Sequence, residues 1–368
     1  RTMYDPYHDV YMWIRLGKPY SEGQITNILR LAISRDTINW VDYDFTPIHI
    51  FNDRDIIDAQ FDYPEAILSK NYLYLTSSVV VGQNCEKEYG AILRIPLDNL
   101  SNALNNPYSV IPYYAVLDRN VTAIAPVDAG NSTSVYFGAH LKDNASMKIY
   151  EWKEGLNSMT NQTVSVAPWN NIHNSEFCGL NPSNSEKWWC KANTNTRIRS
   201  TWFYNDSLNF MWNSIISYDN GSTWKPYIDV ATFDINRNMS YQRKYYVADD
   251  SRPWIFGAAI PNDRGDLGII AYYVTSNNMD PNVNPYLNLA FGTFNQTTNK
   301  WDMKPLVNSS EALPVKNEEM KHDYNFGDFI TIRKHPLDKN GYLWDAGAYV
   351  IVGNKYDDVD PYFIMIKR

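Results

Sequence analysis

A strand–turn–strand unit recurs along the chain, and no other feature narrows the fold as much. Its copies open near residues 5, 62, 124, 199, 254 and 328. "FDYPEAILSKNYLYLTSSVVVG" from Phe61 shows the unit clearly, with "YGAILRIPLDNL" as its third strand. Apolar and polar residues alternate in "NYLYLTS" and "SVYFGAH", as in strands covered by neighbouring layers. The spacing of about 55 to 75 residues holds four short strands with their loops. Four-stranded units repeated along one chain are the blades of a β-propeller, so the sequence predicts an all-β fold of six four-stranded blades. Five and seven blades are the alternatives, because the first and last are hard to delimit. No linker divides the chain, so a single domain spanning residues 1–368 is expected over two sandwiches in tandem.

The composition agrees. Aromatic residues make up 15% of the 368 positions, with 28 Tyr and 12 Trp, which favours pleated surfaces. No apolar run reaches the length of a membrane-spanning helix. The net charge of −8 and the lack of a basic patch argue against nucleic acid as a partner. No cofactor motif and no metal-ligand spacing are present: His8, His49, His140, His173, His322 and His335 are dispersed. No glycine-rich phosphate loop and no G-x-S-x-G elbow occur.

"SYDNGSTW" carries Ser217, Asp219, Gly221, Thr223 and Trp224. It resembles the Asp-box, Ser-x-Asp-x-Gly-x-Thr-Trp, of sialidases and related repeat propellers. "SRDTINW" keeps Ser34, Asp36 and Trp40 as a degenerate copy, and "NQTTNKW", ending at Trp301, fills a similar slot. Asp and Ser oxygens accept backbone N–H bonds and pin a tight turn. The resemblance implies a turn between the third and fourth strands of a blade, at its outer edge, far from the active face. The box is therefore read as structural.

Sialidase chemistry further requires three arginines, a Tyr–Glu pair and an acid/base Asp. Arg94 lies in an Arg-Ile-Pro run, but on the outer half of the second blade, so no catalytic role is carried over to it. Residues opening the innermost strands are expected to face a central channel. These offer Asp5, Asp62 and Asp328 as catalytic candidates, and Tyr63, Arg199, Trp202, Arg252, Trp254 and Asp128 as ligand-binding ones. Rings stack on pyranose faces, and paired carboxylates serve as acid and base. The aspartates have a plainer reading too: Asp before Pro, as at Asp5, commonly makes a turn, and an Asp opening an inner strand can simply bond a neighbouring blade.

Cys178 and Cys190 bracket a polar loop and are read as a disulfide. Sequons begin at Asn99, Asn120, Asn131, Asn144, Asn161, Asn205, Asn220, Asn238, Asn295 and Asn308. Together these point to a secreted or cell-surface glycoprotein. Lacking a full catalytic constellation, the chain reads first as a non-catalytic binding or structural module for a glycan or protein ligand, able to self-assemble or to join a cell-surface or virion-surface assembly. The alternative is a secreted glycoside hydrolase of sialidase-like fold acting at the channel.

Overall fold

The computed structural model describes residues 1–17, 27–82, 87–128, 133–169, 197–217, 224–248, 252–275, 286–310, 330–336, 338–352 and 359–368. The chain is all-β. Six antiparallel sheets follow one another, each a meander with its strands in sequence order, as in the blades of a β-propeller. They fall into two compact units, Arg1–Ser165 and Val166–Arg368.

In the first unit, the first sheet holds β1 (Thr2–Asp5), β2 (Val10–Gly17), β3 (Ile28–Ser34) and β4 (Val41–Phe45). The second holds β5 (Ala59–Leu68), β6 (Tyr72–Val81), β7 (Lys87–Pro96) and β8 (Tyr114–Asp118). The third holds β9 (Ala125–Val127), β10 (Ser134–His140), β11 (Ser146–Lys153) and β12 (Thr160–Ser165). Two short helices, α1 (Pro47–Phe51) and α2 (Leu97–Ala103), follow β4 and β7. Thr46 caps α1 by accepting the His49 N–H, and Asn52 ends it in the left-handed region.

In the second unit, the fourth sheet holds β13 (Ser200–Tyr204), β14 (Ser207–Ser217), β15 (Trp224–Asp234) and β16 (Ser240–Arg243). The fifth holds β17 (Trp254–Pro261), β18 (Leu267–Thr275), β19 (Tyr286–Asn295) and β20 (Lys300–Val307). The sixth shows three strands among the described residues: β21 (Thr331–Lys334), β22 (Leu343–Ile351) and β23 (Val359–Lys367).

Central strands are buried on both faces, which is why they read as near-continuous apolar runs rather than strict alternation. Leu73, Leu75 and Leu93 pack on Met12, Ile14 and Leu31 of the first sheet. On the other face of the second sheet, Tyr74 and Ile92 meet Phe137 and Trp152 of the third. Tyr272, Leu289 and Trp344 join the fifth and sixth sheets in the same way. Gly268 is required there, because a Cβ would stand 2.8 Å from the Trp344 ring.

Arg94 is wholly buried. Its guanidinium lies 4.3 Å from the Tyr72 ring centre, 4.5 Å from Trp152 and 4.7 Å from Tyr114. It donates to the Leu156 carbonyl at 2.8 Å and to Asn157 Oδ1 at 3.1 Å. A cation enclosed by three rings and bonded to a neighbouring sheet rivets two blades together. This placement agrees with giving the Arg-Ile-Pro arginine no substrate role.

The turns correct one expectation. Ser217 pairs with Trp224 across β14 and β15, the second and third strands of their sheet. The best-matching box therefore does not join third and fourth strands; its interior, with Asp219, Gly221 and Thr223, lies outside the described residues. The degenerate copy does sit between third and fourth strands, β3 and β4. There Asp36 Oδ1 accepts the Ile38 and Asn39 N–H groups at 2.9 and 2.8 Å. Ser34 Oγ accepts the Thr37 N–H, and Trp40 Nε1 donates to the Thr37 carbonyl. These bonds hold the Asp36 carboxyl far below the usual carboxylate range, so the turn stays pinned in mild acid. Asn295 does the same between β19 and β20, accepting from Thr297 and Thr298 N–H. In the absence of the glycine, Thr37 and Asn299 take the positive φ of these turns themselves.

Candidate functional site

The innermost strand of the second sheet is irregular where its acidic residues lie. β5 pairs with β6 as Asp62↔Ser78 and then Glu65↔Thr76, so Tyr63 and Pro64 together oppose Ser77. This is a β-bulge, and Tyr63 takes a φ of 53°. A left-handed conformation is costly for a residue with a Cβ, roughly 1–2 kcal/mol. Bulges re-aim side chains, and such strain gathers at functional sites.

The consequence follows from parity. In a regular strand, residues three apart point to opposite faces. The extra residue flips that parity. Asp62 and Glu65 stand opposite Ser78 and Thr76, which are two apart and share a face. The bulge thus brings two carboxylates to one face, separated by about two strand residues, or roughly 6.5–7 Å of rise.

Several bonds hold the bulge. Ser77 Oγ donates to the Asp62 carbonyl at 2.8 Å. Just upstream, Asn27 forms a two-point bridge to Phe61, accepting its N–H and donating to its carbonyl, both at 2.7 Å. Arg1 donates to the Pro64 carbonyl at 3.3 Å and pairs with Glu65 Oε1 at 3.5 Å. Ser78 Oγ donates to the Thr122 carbonyl at 3.1 Å, tying in the segment that leads to β9. Gly90 lets that segment approach, since a Cβ there would stand 2.5 Å from Ile124. Asp128 follows β9 and is exposed.

The remaining sequence candidates divide. Asp5 does not open an inner strand; it ends β1 at the β1–β2 turn. It is 3% exposed, sits 2.5 Å from His8 Nδ1 and accepts the Tyr7 N–H. His8 Nε2 faces Asp98 of α2 at 3.1 Å. That set docks a turn on a helix and corrects the catalytic reading of Asp5. Trp202 and Trp254 are 1% and 2% exposed, so neither can stack on a sugar. Their rings pack on Tyr245 and Tyr273, which corrects their ligand-binding reading. Arg252 lies 5.2 Å over Tyr273, and Arg199 lies 5.8 Å over Phe256. Asp328, Cys178 and Cys190 fall outside the described residues, as do the sequons at Asn131 and Asn220. Sequence reasoning missed Glu65, because only the bulge moves it beside Asp62. The Tyr63-Pro64 pair was the available signal, since Pro cannot continue a regular ladder.

No family model matches the chain. No curated protein matches it either. Among solved structures, an α-L-arabinanase from Cellvibrio cellulosa is 13% identical with a TM-score of 0.40, over 83% of this chain and 93% of that one. A thermostable family-43 glycoside hydrolase is 10% identical with a TM-score of 0.37, over 86% and 95%. An endo-arabinase from Bacteroides thetaiotaomicron VPI-5482 is 14% identical with a TM-score of 0.35, over 86% and 93%. Likeness at this level fixes neither substrate nor mechanism. The expectation of a non-catalytic module rested on the lack of a full catalytic constellation; β5 does bring two carboxylates to one face, so that expectation is withdrawn and the hydrolase alternative is carried forward.

Proposed function

We propose that this chain is a glycoside hydrolase that works through Asp62 and Glu65. The observation that carries the proposal is the β5 bulge, which puts both carboxylates on one face. One carboxyl protonates the departing glycosidic oxygen. The other attacks the anomeric carbon or activates a water, according to the carboxyl separation when substrate is bound. Ser77 and Asn27 hold the strand on either side, and Arg1 orients Glu65 by its ion pair. Asp128, exposed at the end of β9, is a third group for binding sugar hydroxyls. The ligand is accordingly a glycan.

The Asp-box kinship is kept as a statement about the turns at Ser34–Trp40 and Ser217–Trp224. A secreted location, a Cys178–Cys190 bridge and glycans on the exposed sequon residues Asn120, Asn144, Asn161, Asn205, Asn238 and Asn308 belong to the same proposal. A panel of chromogenic furanosides, pyranosides and sialosides tests the function. At least one should be hydrolysed, and the Asp62→Asn/Glu65→Gln double variant should lose that activity while melting as the parent does. No turnover across the panel and across soluble polysaccharides would refute it. Intact mass with and without reductant tests the bridge.

A further inference from the structure

Among the described residues, the sixth sheet ends differently from the other five. Each of those continues to a fourth strand, whereas β23 is the last described strand of its sheet. Tyr362, Ile364 and Ile366 turn inward onto the core shared with Trp344 and Ala346. On the other face Phe363 is 68% exposed and Met365 56%. An edge strand with exposed apolar side chains is a template for further strand pairing.

The sequence of β23 is complementary to itself when reversed. Antiparallel pairing of two copies about a two-fold axis at Ile364 sets Phe363 opposite Met365 and Tyr362 opposite Ile366. The same register sets Asp360 opposite Arg368, one residue past the strand, and Lys367 opposite Pro361. No like charges face one another. A shift by two residues loses the Asp360–Arg368 pair and sets Val359 against Lys367. The Arg368 side chain is 52% exposed and meets Asp266 within its own chain. We infer that β23 is a self-association edge, through which two copies of this chain join their sixth sheets into one continuous sheet. Cross-strand apolar pairs and the two end ion pairs fix the register. An edge contact of this kind buries less than a standard interface, so the dimer is in exchange with monomer.

Sedimentation velocity of the full chain over a concentration series tests this. The expected result is a weight-average mass that rises towards about twice the monomer value as concentration increases. Phe363→Lys/Met365→Lys sets lysine against lysine at two exposed positions and should leave a monomer with unchanged melting. Asp360→Arg should weaken association by at least about tenfold, and adding Arg368→Asp should restore it. Independently of any variant, alternate backbone amides between 361 and 367 should exchange more slowly at high concentration. A monomer at every concentration would overturn the inference. So would a dimer unchanged by the paired lysines, or cross-links showing that a strand of the same copy covers the β23 edge.

Discussion

Each unit carries a bulge in the first strand of its middle sheet, and the two bulges are used differently. In the first unit, β5 breaks register between Asp62 and Glu65, with Tyr63 at φ 53°. In the second, β17 breaks register between Ile255 and Ala258, with Phe256 at φ 50°. The backbone device is the same. The flanking residues differ: Asp and Glu in β5, Ile and Ala in β17. Phe256 is 1% exposed and its N–H donates to Asn213 Oδ1 at 2.8 Å within the core. Gly257 must lack a Cβ, which would meet Met211 Sδ at 2.8 Å. The β17 bulge is therefore a packing device. Tyr63 is only half-buried, and its bulge presents carboxylates instead. A shared backbone irregularity does not identify a site; the side chains that it re-aims do.

The contrast is sharpest in activity. Asp62→Asn and Glu65→Gln should each lower kcat by about 10²- to 10⁴-fold, as expected for loss of a general acid or base. Ala258→Ser, at the matching position of the other bulge, should leave kcat unchanged. Steady-state kinetics on the best panel substrate decide it, and equal losses at both bulges would break the comparison.

Stability should show the reverse order. Phe256→Gly removes a buried ring and should cost about 3–5 kcal/mol. Tyr63→Gly exchanges relief of left-handed strain for extra chain entropy and should stay within about 1 kcal/mol of the parent. Urea unfolding measures both. The supporting amides follow with smaller effects. Asn213→Ala leaves a buried N–H unpaired and should cost about 1–3 kcal/mol, against about 1 kcal/mol for Asn27→Ala at the more open bulge.

The smallest contrast concerns alkaline pH. Burial, as the largest cause, pushes Tyr74 in the first unit and Tyr245 in the second up to about 12 from 10. The folded chain thus favours the neutral phenol. Its contribution is fully present below pH 10 and is lost as pH rises from 10 through about 12. Tyr74→Phe and Tyr245→Phe should flatten the alkaline fall in melting temperature by similar amounts. A marked difference between them would show that the two units do not bury their tyrosines alike.

Much of the fold was legible because it rests on local patterns. The meander units from Phe61, Val121, Ile198, Arg252 and Phe326 showed as apolar strands separated by Asn, Asp and Gly turns. The six openings could be counted without knowing how any strand packs. The site was less legible, for physical reasons. Sequence shows that Asp62 lies in a strand but not that the strand gains a residue at Tyr63, and parity alone decides where Glu65 points. Trp202 and Trp254 looked like sugar platforms because exposure depends on neighbouring strands, and here both rings are enclosed. Asp5 was placed at the wrong end of β1, since "YDP" reads equally as a strand opening or a turn. The full Asp-box was assigned to the wrong strand pair because its match describes a turn and not which strands that turn joins.

The claim that Asp62 and Glu65 form a working acid–base pair is tested most directly by the pH dependence of kcat/KM in the parent and the two single variants. The parent should give a bell. One variant should lose the acid limb and the other the alkaline limb, each leaving a single ionisation. A bell that keeps both limbs in both variants would contradict the account, because the two ionisations would then belong to other groups.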